Sequence, residues 1–203
     1  MISERRTPAL FALVLLLLFC VGRTQSQAAP PANDDSWEIG LGGGYYIPAR
    51  EGFREYYKNG PEAELSVSHQ VWHRFSARVD LSFTRLPHKQ TSADLLFWMF
   101  SIVPSIKLSL PRAQEPYLGA GLGYYQGTVK YDGPYYPTGG GDKEISKGGV
   151  GFKLYAGLKS KLASRLFLGL EGRYCHTFLG DPYEGDLGNV GGFSVMGKLG
   201  VSF

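Results

Sequence analysis

The sequence predicts an all-β chain, an eight-stranded antiparallel up-and-down transmembrane β-barrel, preceded by a leader. Three observations carry that prediction. Hydrophobicity alternates with period two through eight separate runs, and the segments between the runs alternate between long and short. The face opposite the apolar one holds few charges, nearly balanced in sign. Composition agrees: of 203 residues, 28 are Gly, 14% are aromatic and only 19% are charged, against about 25% charged in an ordinary soluble domain. That much apolar material excludes disorder. Glycine without a three-residue repeat excludes collagen, and two cysteines, Cys20 and Cys175, exclude a disulfide-stapled scaffold.

Residues 1–28 read as a secretory signal peptide. Arg5 and Arg6 supply the positive start, Ala9 to Gly22 is an apolar run, and Ser26-Gln27-Ala28 offers the small residues a signal peptidase reads. The run is short for a spanning helix, which needs about 20 residues. Cleavage is expected after Ala28, since cutting after Ala29 would leave Pro30 at the new N-terminus. Cys20 raises a lipid-anchored alternative, but bulky Phe19 precedes it where a small residue is wanted. Loss of Glu4, Arg5, Arg6 and Arg23 would leave 18 basic and 17 acidic residues and a net charge of +1. Nothing electrostatic then argues for nucleic acid, and Cys175 would have no partner for an internal disulfide.

A tether, residues 29–36, leads into the barrel domain, residues 37–203. In Trp37–Ile47, the residues Trp37, Ile39, Leu41, Tyr45 and Ile47 share a face. Ala63–Val71 sets Ala63, Leu65, Val67 and Val71 against Glu64, Ser66, Ser68 and Gln70. Phe75–Arg85 sets Phe75, Ala77, Val79, Leu81 and Phe83 against Ser76, Arg78, Asp80, Ser82 and Thr84. Leu95–Leu110 opposes Trp98, Phe100, Ile102 and Ile106 to Ser101, Ser105, Lys107 and Ser109, and Pro116–Lys130 opposes Leu118, Ala120, Leu122 and Tyr124 to Tyr117, Gly119, Gly121 and Gly123. Val150–Leu158, Leu166–Tyr174 and Val190–Phe203 continue the pattern, with Lys153, Glu171, Arg173 and Lys198 on the polar side. Trp72–Arg74, Pro111–Glu115 and Lys159–Arg165 are short connections. Pro48–Glu62, Leu86–Asp94, Tyr131–Gly149 and Cys175–Asn189 are long, polar and rich in Gly, Pro and Tyr. No helix-period segment intervenes, which excludes βαβ folds.

Period two alone does not say which face is outside, because soluble lipocalin-type barrels alternate too. The charge count decides. Glu38, Glu64, Arg78, Asp80, Lys107, Lys153, Glu171, Arg173 and Lys198 are spaced among Gly, Ser and Tyr, too sparse for a water-facing surface. They are expected inside, as a barrel-interior charge network in which ions pair. A Lys or Arg at the bilayer midplane would cost about 2–4 kcal/mol. Aromatic girdles are expected at the short-turn rim (Trp37, Trp72, Phe75, Tyr117, Phe167) and at the long-loop rim (Tyr45, Tyr46, Trp98, Tyr124, Tyr125, Tyr174).

The segment Pro116-Tyr117-Leu118-Gly119-Ala120-Gly121-Leu122-Gly123-Tyr124 and the ending Lys198-Leu199-Gly200-Val201-Ser202-Phe203 resemble the small outer-membrane β-barrel family that includes OmpX, OmpW and the transmembrane domain of OmpA. The likeness runs from about Trp37 to Phe203. It implies that Leu199, Val201 and Phe203 form a signal read by the barrel-assembly machinery. It also implies outer-membrane lipid and lipopolysaccharide as surroundings. The periplasmic peptidoglycan-binding domain that follows the barrel in OmpA is expected to be absent.

Candidate chemistry is thin. His69, His73, His88 and His176 form no metal-spaced cluster. Some eight-stranded barrels deacylate lipid A with a His followed two residues later by Ser; here Phe178 follows His176, so the nucleophile is missing. Gly42–Gly44 and Gly119–Gly123 lie in strands and are not phosphate loops. Gly139-Gly140-Gly141-Asp142-Lys143 reads as a turn, and Asp181, Glu184 and Asp186 match no EF-hand spacing. The expectation is a non-enzymatic outer-membrane protein without cofactor, whose loops serve envelope integrity or surface interaction with a possible extracellular ligand. A small passive channel for small solutes is the alternative, and a lipid-modifying enzyme the remote one.

Overall fold

The computed structural model describes residues 36–49, 51–72, 74–89, 94–108, 114–131, 143–178 and 190–203. The leader, most of the tether, His73, Gly139–Asp142 and the Asp181, Glu184, Asp186 group lie outside the described residues. Eight strands close into one antiparallel barrel in sequence order: β1 (Trp37–Pro48), β2 (Gly60–Trp72), β3 (Phe75–Pro87), β4 (Asp94–Lys107), β5 (Gln114–Tyr131), β6 (Lys143–Lys161), β7 (Leu166–Phe178) and β8 (Gly191–Ser202). The expected architecture is therefore the observed one. The seam pairs Glu38↔Ser202 through Pro48↔Gly192. Reciprocal backbone bonds of 2.9 Å between Trp37 and Phe203 tie its short-turn end. Closure matters because lipid offers no partner to an open edge.

The phase is as the alternation requires. Leu41, Leu65, Leu81, Phe100, Ile102, Leu122, Leu154, Leu168 and Leu199 are exposed on the outer wall, while Glu64, Asp80, Ser101, Lys153, Glu171 and Lys198 are buried inside it. From Phe75 to Phe83 the chain takes eight steps; at about 3.3 Å each and a tilt of about 40° that is roughly 20 Å of height. Adding the rings at each end approaches the ~25 Å apolar band such barrels present.

Three features differ from the sequence reading. Strands run further than their apolar alternation. β5 and β6 stay paired from Gln126↔Gly148 to Tyr131↔Lys143, where the outer wall turns polar at Gln126, Thr128 and Ser146. Alternation marks only the lipid-covered stretch, so a hairpin continuing into water carries no such signal. The connection between β3 and β4 shrinks to residues 88–93 for the same reason. Second, the first long connection contains a helix, α1 (Glu51–Tyr56), where none was expected; six residues are too few for a periodic signal to emerge. Third, four girdle assignments are wrong. Tyr46 and Tyr125 are fully buried in the lumen, and Phe167 and Tyr117 also point inward. Tyr46 directly follows outward Tyr45, and Tyr125 follows outward Tyr124, so the pleat turns them in. Trp37, Trp72, Phe75, Tyr45, Trp98 and Tyr124 do stand exposed on the outer wall, and Tyr174 is half-buried there against Phe193, 4.9 Å between ring centroids.

Inward glycines make room for inward rings. Tyr117 lies across Gly157, its direct partner in the ladder, and Tyr155 across Gly119; a Cβ at either glycine would collide with the ring. Phe167 covers Gly200 in the same way. Large and small positions thus interdigitate across neighbouring strands in a narrow tube.

Candidate functional site

The lumen is built in three tiers. The loop-side tier is apolar. Tyr46, Leu86, Leu95, Phe97, Met99, Tyr125, Val129, Cys175 and Val190 form one buried cluster, completed by Phe53 and Tyr57 from the first loop. That loop is held over the mouth by backbone bonds from Lys58 N to Pro87 O and from Lys89 N to Tyr56 O, both 2.8 Å. Phe53 stacks on Tyr57 at 4.6 Å, and Tyr57 meets His88 edge-on at 5.3 Å. The Cys175 thiol donates to the Tyr46 hydroxyl at 3.6 Å.

Beneath this plug lies a belt of ions. Arg78 bridges Glu171 (Nη1 to Oε2, 2.7 Å) and Asp80 (Nε to Oδ1, 2.7 Å), with its guanidinium 3.8 Å from the Tyr155 ring centroid. Lys153 donates to Asp80 at 2.7 Å and to Glu64 at 3.0 Å. Lys198 stands 2.6 Å from Glu64 and 3.0 Å from Glu171. Arg173 contacts Glu64, and lies 3.5 Å from both Glu62 and Glu171. The Tyr117 hydroxyl donates to Glu171 at 2.9 Å and the Ser82 hydroxyl to Glu64 at 3.1 Å. Four acids, Glu62, Glu64, Asp80 and Glu171, therefore face four bases, Arg78, Lys153, Arg173 and Lys198. The belt is neutral, which is the condition under which buried charge is tolerable.

The short-turn tier is open and polar. Its cavity is lined by Ser66, Ser68, Ser76, Ser105, Tyr117, Tyr155, Lys107, Lys159, Glu38 and Glu115 among others. Glu38 accepts from Lys159 and, at 3.3 Å, from Ser68, while Lys159 also reaches Glu115 at 3.2 Å. Lys107 donates to Gln70 at 3.0 Å and stands 3.7 Å from Glu38.

All nine residues nominated for the interior network thus face the lumen. Glu64, Arg78, Asp80, Lys153, Glu171, Arg173 and Lys198 share the belt, and Glu38 and Lys107 sit apart in the lower tier. Sequence reasoning missed Glu62, Glu115 and Lys159, which it had left in or at the edge of connections. Glu62 lies in phase with nominated Glu64 and Lys159 with nominated Lys153, while Glu115 lies in phase with Tyr117 on the polar side of its strand. Extending the phase past the apolar run would have found them. It also gave no sign that the upper lumen is apolar.

Elsewhere, Leu199, Val201 and Phe203 are exposed on the outer wall. His176 faces outward between Phe152, 5.6 Å away, and Phe178, 4.9 Å away. His69 stacks on Trp37 at 4.4 Å. Gly42 and Gly44 lie on the lumen side, while Gly43 faces outward with open space around it.

Comparison with known proteins agrees with this architecture. No curated protein sequence matches the chain. Among solved structures it is similar to Neisserial surface protein A, at 17% identity and a TM-score of 0.62, covering 83% of this chain and 97% of that one. It is similar to Ail of Yersinia pestis, solved with the heparin analogue sucrose octasulfate, at 16% identity and 0.55, covering 84% and 100%. It is also similar to OprG from Pseudomonas aeruginosa, at 12% and 0.54, covering 83% and 96%. At these identities the likeness is one of fold. A family model described as the outer membrane protein beta-barrel domain matches residues 11–198. The chain belongs to that outer-membrane β-barrel family.

Proposed function

We propose that this outer-membrane barrel is a non-enzymatic, non-conducting scaffold that acts through the surface at its loop end, in envelope integrity or surface interaction. The observation that carries this reading is the filled lumen. A solute would have to pass a plug of close-packed rings and aliphatic side chains and then a belt in which every charge is engaged. Its partners are outer-membrane lipid and lipopolysaccharide around the wall, the barrel-assembly machinery reading Leu199, Val201 and Phe203, and an extracellular ligand at the loops. Residues 1–28 would direct export and be cleaved in its course. Ail, named an attachment invasion locus protein, and Neisserial surface protein A have names that fit action at the cell surface.

The reading is tested in planar bilayers, where the purified barrel is expected to give negligible conductance. A steady, reproducible open channel would overturn it. The passive-channel alternative draws support only from the open lower tier. Enlarging Gly121 is not a usable test of it, because a Cβ there would strike the Ile102 carbonyl and the Val103 backbone, disturbing the wall rather than the passage.

A further inference from the structure

We infer that the short-turn end of the lumen is a binding site for a small oxyanion, open to the periplasm, with Lys107 Nζ and the Tyr155 hydroxyl as its donors. Short turns face the periplasm in barrels of this class, and the plug and belt above make the cavity a cup with one mouth.

The inference starts from unequal pairing. Among the described residues, every cation of the belt has a carboxylate oxygen within salt-bridge contact on at least two acids, and Lys159 spans Glu38 and Glu115. Lys107 is different. Its nearest carboxylate oxygen is 3.7 Å away, outside hydrogen-bonding distance, and its hydrogen bond goes to the neutral amide of Gln70. An ammonium carries three donors, so Lys107 has capacity left, and it lines the cavity.

A second donor lines the same cavity. The Tyr155 hydroxyl is buried beside the Ser105 hydroxyl and donates no hydrogen bond of its own. Arg78 packs against the face of that ring at 3.8 Å, which draws electron density from the phenol and strengthens it as a donor. The ligand's sign follows from charge. The belt is neutral by itself; below it Lys107 and Lys159 balance Glu38 and Glu115 in the cavity wall, and exposed Lys161 at the rim, 3.7 Å from Glu115, adds one positive charge. Lys159 holds both carboxylates at shorter range, so an incoming anion competes for Lys107 only with its 3.7 Å contact to Glu38. The paired Ser76 and Ser105 hydroxyls, 2.6 Å apart, add adjustable polar wall. Phosphate or a carboxylate, which offers only acceptors, matches these donors in chemistry.

The test uses the folded full barrel in detergent micelles, titrated with inorganic phosphate at constant ionic strength and followed by NMR shifts of Lys107, Ser105 and Tyr155. Saturable shifts are expected at those residues, and an equal concentration of chloride should not reproduce them. Lys107→Gln should weaken phosphate binding about tenfold or more, the scale of losing one charge-assisted hydrogen bond. Tyr155→Phe should weaken it severalfold, and Lys58→Gln, at the loop end, should leave it unchanged. Heat-modifiable gel migration reports whether each variant is folded, and Tyr155→Phe carries the test if Lys107→Gln is not. Absent or unsaturable shifts, shifts matched by chloride, or parental affinity in both Lys107→Gln and Tyr155→Phe would overturn the assignment.

Discussion

Replacing Arg78 with Met asks how dry the ionic belt is. The guanidinium donates to both oxygens of Glu171, at 2.7 and 3.1 Å, and through Nη2 to Asp80 at 2.9 Å. Methionine keeps much of the stem's volume and removes the charge and the donors. Neither carboxylate is orphaned: Asp80 keeps Lys153 at 2.7 Å, and Glu171 keeps Lys198 at 3.0 Å and the Tyr117 hydroxyl at 2.9 Å. The belt nevertheless acquires one unbalanced negative charge. Breaking a buried pair costs about 3–5 kcal/mol, and the surviving partners place this variant near 3 kcal/mol, about a hundredfold in the folding equilibrium. Arg78→Lys keeps the charge but loses the two-pronged geometry, at about 1 kcal/mol. Urea titration in lipid vesicles, read by the fluorescence of wall-exposed Trp37, Trp72 and Trp98, measures both. The double variant Arg78→Met/Glu171→Gln restores neutrality and should recover at least half of the loss, appearing as coupling in a double-mutant cycle. Arg78→Met within about 0.5 kcal/mol of the parent, with no coupling, would show that water screens these charges as it does at a surface, and the dry belt would be refuted.

Phe53→Ala should loosen the first loop over the barrel mouth, seen as faster proteolytic clipping between residues 51 and 58 while gel migration of the barrel stays unchanged. Gly119→Leu, which drives a side chain into the Tyr155 ring, should cost about 1–3 kcal/mol in the same urea assay, whereas outward Gly43→Ala, with nothing around it, should be near neutral. Burial holds the His88 imidazole below its usual titration range, so the folded loop favours the neutral ring. Its contribution is therefore complete above the ordinary imidazole range and fades as pH falls through the lowered value. Amide shifts of Lys58 and Lys89 should report loosening on acidification, and His88→Gln should abolish that dependence.

Reading the candidate site from sequence succeeded or failed residue by residue for physical reasons. Arg78, Asp80 and Lys153 were found because each sits between two apolar outward neighbours, where the pleat leaves one direction to point. Lys159 and Glu62 were missed because they lie past the lipid-covered stretch, where outward residues no longer need to be apolar. Tyr46 and Tyr125 were placed on the rim because aromatic clustering was weighed above alternation; the pleat outranks it. Leu95, Phe97 and Met99 were invisible as plug residues because an apolar residue on the inner face breaks no rule that a sequence displays.

What the sequence determined alone was topology and phase. Eight alternating runs with antiparallel connections must close, since lipid satisfies no open backbone edge, and sparse balanced charge must then face inward. What the tertiary structure decided was height. A period of two assigns a side chain to a face and says nothing of its level along the axis, which depends on how neighbouring strands are staggered. Arg78 meets Glu171 across 93 residues and Arg173 meets Glu64 across 109 because that stagger brings them to one level. The same stagger stacks plug, belt and cup in order, and a chain written in one dimension carries no coordinate for it.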